Sequence, residues 1–307
     1  MALKNKSKSI SKVRTLLWAL SRRQLHFKDF QKGTTPPLNT AILEAEPYHP
    51  KKSGTRIALV AHVYYEEFIP SLAETIRACP LGTEIFVTTT STDNAIQIRK
   101  ILDGNNSKYQ IAITPNVGRN FAPWLVEFGK ELLNFDSLIH VHSKKSLHAN
   151  HSLVEEWNKR NERLFASKRN VDRLLAVAEN NEEIGIIYPF VADLFRKINF
   201  RWGVNREHLV KTIRPHDLTH LVGNDERIPF PIGGMFWARV PAIRELLAFN
   251  WSYDLFPEES GQVDDTLQHA IERIFGTTPL SKNFRHCMYV DAYDKFTTDV
   301  SFHVANN

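Results

Sequence analysis

Along the first half of the chain, apolar positions switch between two periods. Ile57-Ala58-Leu59-Val60-Ala61 is an unbroken apolar run of strand length, the pattern of a strand buried on both faces. Phe68, Leu72 and Ile76 then recur every four residues and mark one face of a helix. Glu84–Thr89 predicts the next strand, and Asp93–Leu102 a helix with Thr92 as its N-cap. Tyr109–Thr114 predicts a third strand, Pro115–Phe121 a loop, Ala122–Leu133 a helix and Ser137–His142 a fourth strand. This strand–helix alternation predicts an α/β fold with a Rossmann-type, doubly wound, mostly parallel sheet. Ligands of such sheets sit beyond the carboxyl ends of the strands.

The second half is less regular. Helices are predicted at Leu153–Ala166 and Val171–Glu179, and a strand at Ile184–Tyr188. Residues 190–232 are aromatic and basic and predict loops with a short helix. A strand at Gly234–Arg239 and helices at Pro241–Leu247 and Asp264–Phe275 complete the pattern. Residues 31–55, with Pro36-Pro37, Pro47, Pro50 and Gly54, read as a linker. The organisation is therefore a basic extension and linker over residues 1–55 and one large domain over 56–307.

Composition narrows the picture. A chain of 307 residues with 42% hydrophobic content can bury a full core. Cys79 and Cys287 are its only cysteines, which suits a reducing, cytoplasmic setting. No apolar stretch reaches the roughly 20 residues of a spanning helix. The net charge of +5 is unevenly placed: residues 1–33 carry nine Lys or Arg against Asp29 alone, so the remainder is mildly acidic. That distribution argues against a nucleic-acid groove. Within the tail, Val13, Leu16, Leu17 and Leu20 fall at helical spacing near Arg14, Arg22 and Arg23. Two readings stand: an amphipathic helix lying on an anionic membrane, peripheral to its inner face, or a solvated extension.

Four segments could carry chemistry. Asn116-Val117-Gly118-Arg119-Asn120 turns from a strand into a helix, a corner whose N–H groups suit an anion, with Arg119 as a clamp. His140 and His142 share one strand face and could ligate zinc, but Lys144 and Lys145 beside them suit a diphosphate better. Phe256–Thr266 packs Glu258, Glu259, Asp264 and Asp265 ahead of an apolar-periodic helix, where a carboxylate aimed into a cleft serves as a general base. As helix-cap residues, Asp264 and Asp265 also have a structural reading. Gly233-Gly234-Met235-Phe236-Trp237 reads either as an aromatic platform for a sugar or as a core strand after a tight turn.

In order along the chain, His62-x-x-Tyr65, Asn116-x-Gly118-Arg119, His142-Ser-Lys-Lys-Ser146, Glu156-Trp157, Gly234-Met-Phe-Trp-Ala-Arg239, Glu259-x-Gly-Gln-x-Asp264 and His269-Ala-Ile-Glu-Arg273 together resemble the rhamnan synthesis protein F family, over roughly residues 56–295. The resemblance implies a bacterial glycosyltransferase with a GT-A-like fold, a nucleotide-sugar donor and a glycan or lipid-linked glycan acceptor, with L-rhamnose as the first donor to test. His62, Tyr65, Asn116, Gly118, Arg119, His142, Lys144 and Lys145 are then expected at the donor. Gly234, Met235, Phe236 and Trp237 are expected at the acceptor. Asp264 is the expected base of an inverting transfer, Glu259 its nearest rival, and His269 and Arg273 support them. GT-A enzymes commonly carry an Asp-x-Asp metal motif where this chain has His-Val-His-Ser-Lys-Lys. Cationic side chains are therefore expected in place of a metal, with Mg or Mn as the alternative. The chain departs from the family pattern at Asn120, usually Asp, and at Asp265, usually Gly. Two other classes compete: a metal-dependent hydrolase using His140 and His142, and a non-catalytic glycan-binding domain.

Overall fold

The computed structural model describes residues 42–43, 55–105, 107–143, 159, 161–190, 202–223, 228–262, 264–290 and 295–297. Its strands are β1 (Ile42–Leu43), β2 (Ile57–Val63), β3 (Glu84–Thr89), β4 (Tyr109–Ile113), β5 (Ser137–His142), β6 (Ile184–Pro189), β7 (Phe236–Arg239), β8 (Arg285–Val290) and β9 (Lys295–Thr297). They form one sheet in the order β1-β9-β8-β6-β7-β5-β2-β3-β4. β7 pairs antiparallel with both β5 and β6, and β9 antiparallel with β8 and β1, whereas the β2–β3, β2–β5, β3–β4 and β6–β8 pairs are parallel. β7 and β9 thus run against all the other strands, and the sheet is mostly parallel as the alternation predicts.

Both faces are covered. The helices are α1 (Ile69–Ala78), α2 (Thr92–Asp103), α3 (Ala122–Phe128), α4 (Lys168–Asn180), α5 (Asn205–Ile213), α6 (Val240–Ala248) and α7 (Leu267–Ser281). Strand period two sends Ala58, Val60, Leu138, Phe236 and Met288 to one core with residues of α3, α5, α6 and α7. Leu59, Ala61, Ile139, Trp237 and Cys287 point to the other, with residues of α1, α2 and α4. β2, β5 and β6 are buried along their whole length, and each places apolar residues on both faces of the sheet.

Several boundaries differ from expectation. The N-cap of α2 is Ser91, whose hydroxyl accepts from the Asn94 N–H at 3.2 Å, not Thr92. The helix predicted over Ala122–Leu133 stops at Gly129, where a Cβ would lie 2.5 Å from the Leu125 carbonyl oxygen, and a 3-10 turn follows at Glu131–Asn134. α7 starts at Leu267, so Asp264 and Asp265 precede the helix instead of capping it. β8 and β9 were not predicted, and β1 comes from the stretch read as linker. Of the helix predicted over Leu153–Ala166, residues 161–165 are helical and most of the rest lies outside the described residues, as does the basic tail.

Candidate functional site

The carboxyl ends of β2, β3 and β5 meet in one place. Parallel register sets His62 beside both Thr88 and His142. The His62 ring nitrogen Nδ1 is 2.9 Å from the Thr88 hydroxyl. Burial, reinforced by the nearby His142, pushes the His62 imidazole down to about 3. His140, on the same face, is fully buried and stacked among Phe121, Trp124 and Phe236, with ring centroids 5.1–5.6 Å away. Burial and then His142 hold it well below the usual imidazole value. Its Nδ1 faces the Gly234 carbonyl. His142 directs Nε2 at the Gly233 carbonyl and Nδ1 at the Ser143 carbonyl, 3.0 Å away. Ser143 caps the strand end of β2: its hydroxyl accepts from the N–H groups of Tyr64 (2.7 Å) and Tyr65 (3.1 Å).

Above this edge, two loops are fastened together through Arg119 and Glu259. Gly118 and Arg119 both adopt left-handed backbone, φ +69° and +54°. A Cβ on Gly118 would lie 2.2 Å from that of Ala122, so the turn requires glycine. The corner does bind an anion, but one supplied by the chain itself. The Arg119 N–H donates to Glu259 Oε1 at 3.2 Å and its Nε stands 3.5 Å from Oε2. Arg119 Nη1 donates to His269 Nε2 at 2.9 Å and Nη2 to the Gln262 carbonyl. His269 therefore carries its proton on Nδ1 and donates it to the Thr266 hydroxyl at 2.6 Å. Val117 and Glu258 add a β-bridge between the same loops. The guanidinium of Arg119, expected as a phosphate clamp, is placed on His269, the Gln262 carbonyl and Glu259 of the acidic loop.

Asp264 sits on that loop, half exposed. Its Oδ1 accepts from Asn205 Nδ2 at 2.8 Å and lies 3.6 Å from Arg273 Nη2. Among the described residues Oδ2 has no hydrogen-bond donor. Glu259, only 16% exposed at its side chain, also accepts from Gln268 at 3.3 Å. Asp265, at the position where the family pattern has Gly, has φ +63° and reaches His208 at 2.8 Å.

The remaining expected residues divide. Tyr65, His142 and Met235 come together with Phe68, Ser143 and Phe165 in a cavity of about 170 Å³. Asn116 is exposed on its loop. Phe236 and Trp237 are fully buried on opposite faces of the sheet, so they form no platform for a sugar; the core-strand reading holds for them. Gly233 and Gly234 turn into β7 with φ +84° and +80°, and the Gly233 N–H donates to the Glu272 carboxylate. Lys144, Lys145, Glu156 and Trp157 lie outside the described residues. Among the described residues no three of His, Cys, Asp and Glu gather to hold a metal ion. The zinc pairing of His140 with His142 finds no support in their geometry, since Nδ1 of His140 and both nitrogens of His142 face backbone carbonyls. Asn205 and Gln268 belong to no motif of the sequence, and Ser143 stands in one without a role assigned to it. The local signal for Asn205 is Gly203 two residues before it, which is weak.

Residues 33–284 match the family described as rhamnan synthesis protein F. The chain belongs to that family. Two relatives, both named uncharacterized protein WxcX, come from Xanthomonas campestris pv. campestris, strains B100 and ATCC 33913. Each is 29% identical over 223 residues, covering 71% of this family member and 30% of the relative. The chain therefore spans less than a third of the length of the curated relatives it matches. Among solved structures, glucosyl-3-phosphoglycerate synthase from Mycobacterium tuberculosis, crystallised with Mn2+, uridine diphosphate and glucosyl-3-phosphoglycerate, aligns with a TM-score of 0.29 at 16% identity over 66% of each chain. S. aureus TarS 1–349 aligns with a TM-score of 0.36 at 13% identity, over 79% of this chain and 60% of that one. No helix among the described residues is long and apolar enough to cross a membrane.

Proposed function

We propose that this member of the rhamnan synthesis protein F family is a glycosyltransferase of bacterial surface-polysaccharide synthesis. It moves a sugar from a nucleotide-sugar donor to a glycan acceptor, with inversion and with L-rhamnose as the first donor to test. The observation that carries the reading is the docking of the acidic loop across the carboxyl edge of the sheet. Arg119, His269 and Glu272 fasten that loop and α7 to the ends of β4 and β5, and Asp264 keeps one carboxylate oxygen open. Ligands of doubly wound sheets occupy this edge.

In the proposed reaction the acceptor hydroxyl oxygen attacks the anomeric carbon opposite the diphosphate. The carbon–acceptor bond forms, the bond to the diphosphate oxygen breaks, and the hydroxyl proton passes to Asp264 Oδ2. His62, Tyr65, Asn116, Gly118, His142 and Ser143 form the donor side, and Lys144 and Lys145 neutralise the departing diphosphate. Arg119 acts as the fastener of the base loop. Mg or Mn remains the competing source of positive charge, but the described residues offer it no ligand set, and no step is assigned to it. A lipid-linked acceptor and membrane docking through residues 1–33 belong to the same proposal.

The test is nucleotide release from a panel of nucleotide sugars, with and without chelator. The panel holds rhamnose, galactose, glucose, mannose, fucose and N-acetylhexosamine donors. Release from one donor, abolished in Asp264→Asn, is the expected result. Neither binding nor release of any donor would leave a glycan-binding module. Turnover that disappears with chelator would return the diphosphate to a metal.

A further inference from the structure

We propose that Asn205 is the positioning residue for the base, an inference that rests on the assignment of Asp264. Asn205 opens α5 and is completely buried, so every polar atom of its amide needs a partner. The structure shows where they go. Nδ2 donates to Asp264 Oδ1 at 2.8 Å and to the Trp202 carbonyl at 3.2 Å. Oδ1 accepts from the Asp265 N–H at 3.1 Å. One buried amide thus grips the side chain of Asp264 and the backbone of the next residue, whose φ of +63° is otherwise unfavourable.

The grip is one-sided, and that has a chemical consequence. Asn205 and Arg273 both approach Oδ1, and Oδ2 is left without a donor among the described residues. A carboxylate held this way has a fixed plane and one oxygen to present, the requirement for a base that meets a hydroxyl in a single orientation. Arg273 is itself anchored, donating to the His269 carbonyl at 2.8 Å with its guanidinium 5.3 Å from the Phe230 ring centroid. Among the described residues, the charged groups around Asp264 are Arg273 on α7, Asp265 beside it and His208 on α5, which Asp265 already engages.

Asn205→Asp tests the role in the full chain. It keeps the acceptor for the Asp265 N–H, removes the donor to Asp264 and sets a second carboxyl against it. The expected result is a fall of about ten- to a hundredfold in kcat near neutral pH, the loss of one hydrogen bond to a charged group, with donor KM little changed. A purely structural role lowers stability and leaves the balance between kcat and KM unmoved. The two failures are separable. If Asp264→Asn keeps full turnover, the base assignment itself is wrong. If Asp264→Asn is inactive while Asn205→Asp matches wild type in kcat, only the positioning role falls.

Discussion

Arg119 makes three side-chain contacts that hold the two loops of the site together, and two replacements separate its contacts from its backbone. Arg119→Ala removes the donors to His269 and Gln262 and the pairing with Glu259, while keeping a Cβ at φ +54°. Hydrogen bonds from a charged group are worth about 1.5–3 kcal/mol each. The side chain is 37% exposed, so water recovers part of that and the ion pair with Glu259 adds little. A net loss of about 2–3 kcal/mol is expected, a fall of about 5–10 °C in Tm for a folded region of this size. Arg119→Gly loses the same contacts but adopts the left-handed region freely, and should recover about 1 kcal/mol relative to Ala. Thermal unfolding followed by circular dichroism checks the order wild type, then Gly, then Ala. Hydrogen exchange should localise the loosening to residues 256–266. An Ala variant as stable as wild type would refute the fastening role. A Gly variant less stable than Ala would refute the argument from backbone strain.

Three further outcomes follow from the same geometry. His62 is held neutral in the fold at about 3 while its unfolded value is near 6.5, so the unfolded chain binds the extra proton. Stability is complete above about pH 6.5 and is lost as pH falls toward 3; urea unfolding at pH 7 and 5 should show it, with a shallower slope in His62→Gln. At position 265 the left-handed φ should rank replacements: Asp265→Gly within about 0.5 kcal/mol of wild type, because the exposed contact with His208 adds little, and Asp265→Val lower by about 1–2 kcal/mol. Denaturant melts that placed Val above Gly would exclude that conformation. Burial pushes the Cys79 thiol up to about 12, and Cys287 is buried as well, so a thiol reagent should modify both only after denaturation.

What the sequence disclosed follows from how local each signal is. β2, buried on both faces, is visible as an apolar run, and the helices that alternate with β2, β3 and β4 follow from periodicity. β8 is hard to read because its apolar part, Cys287-Met288-Tyr289-Val290, is only four residues long behind Arg285-His286; it is a strand because β6 and β9 pair with it. The carboxylates were noticed as a cluster, but their division of labour is a tertiary fact. Glu259 differs from Asp264 only through partners that lie far away in sequence, Arg119 for one and Asn205 for the other. The aromatic pair Phe236-Trp237 misled for a related reason: composition cannot distinguish a ligand face from a core when strand period two buries both rings.

The histidines show how topology changes the meaning of a motif. In the sequence His140 and His142 are a pair on one strand face, which invites a metal. The parallel register of β2 against β5 adds His62 and turns the pair into a row. His62 and His140 are each driven toward the neutral form by burial, with His142 contributing in the same direction. His142 lies between them with Nε2 toward the Gly233 carbonyl and Nδ1 toward the Ser143 carbonyl. A pair that in the sequence invites a metal is, in the fold, a set of buried rings that tie the end of β5 to the Gly233-Gly234 turn ahead of β7.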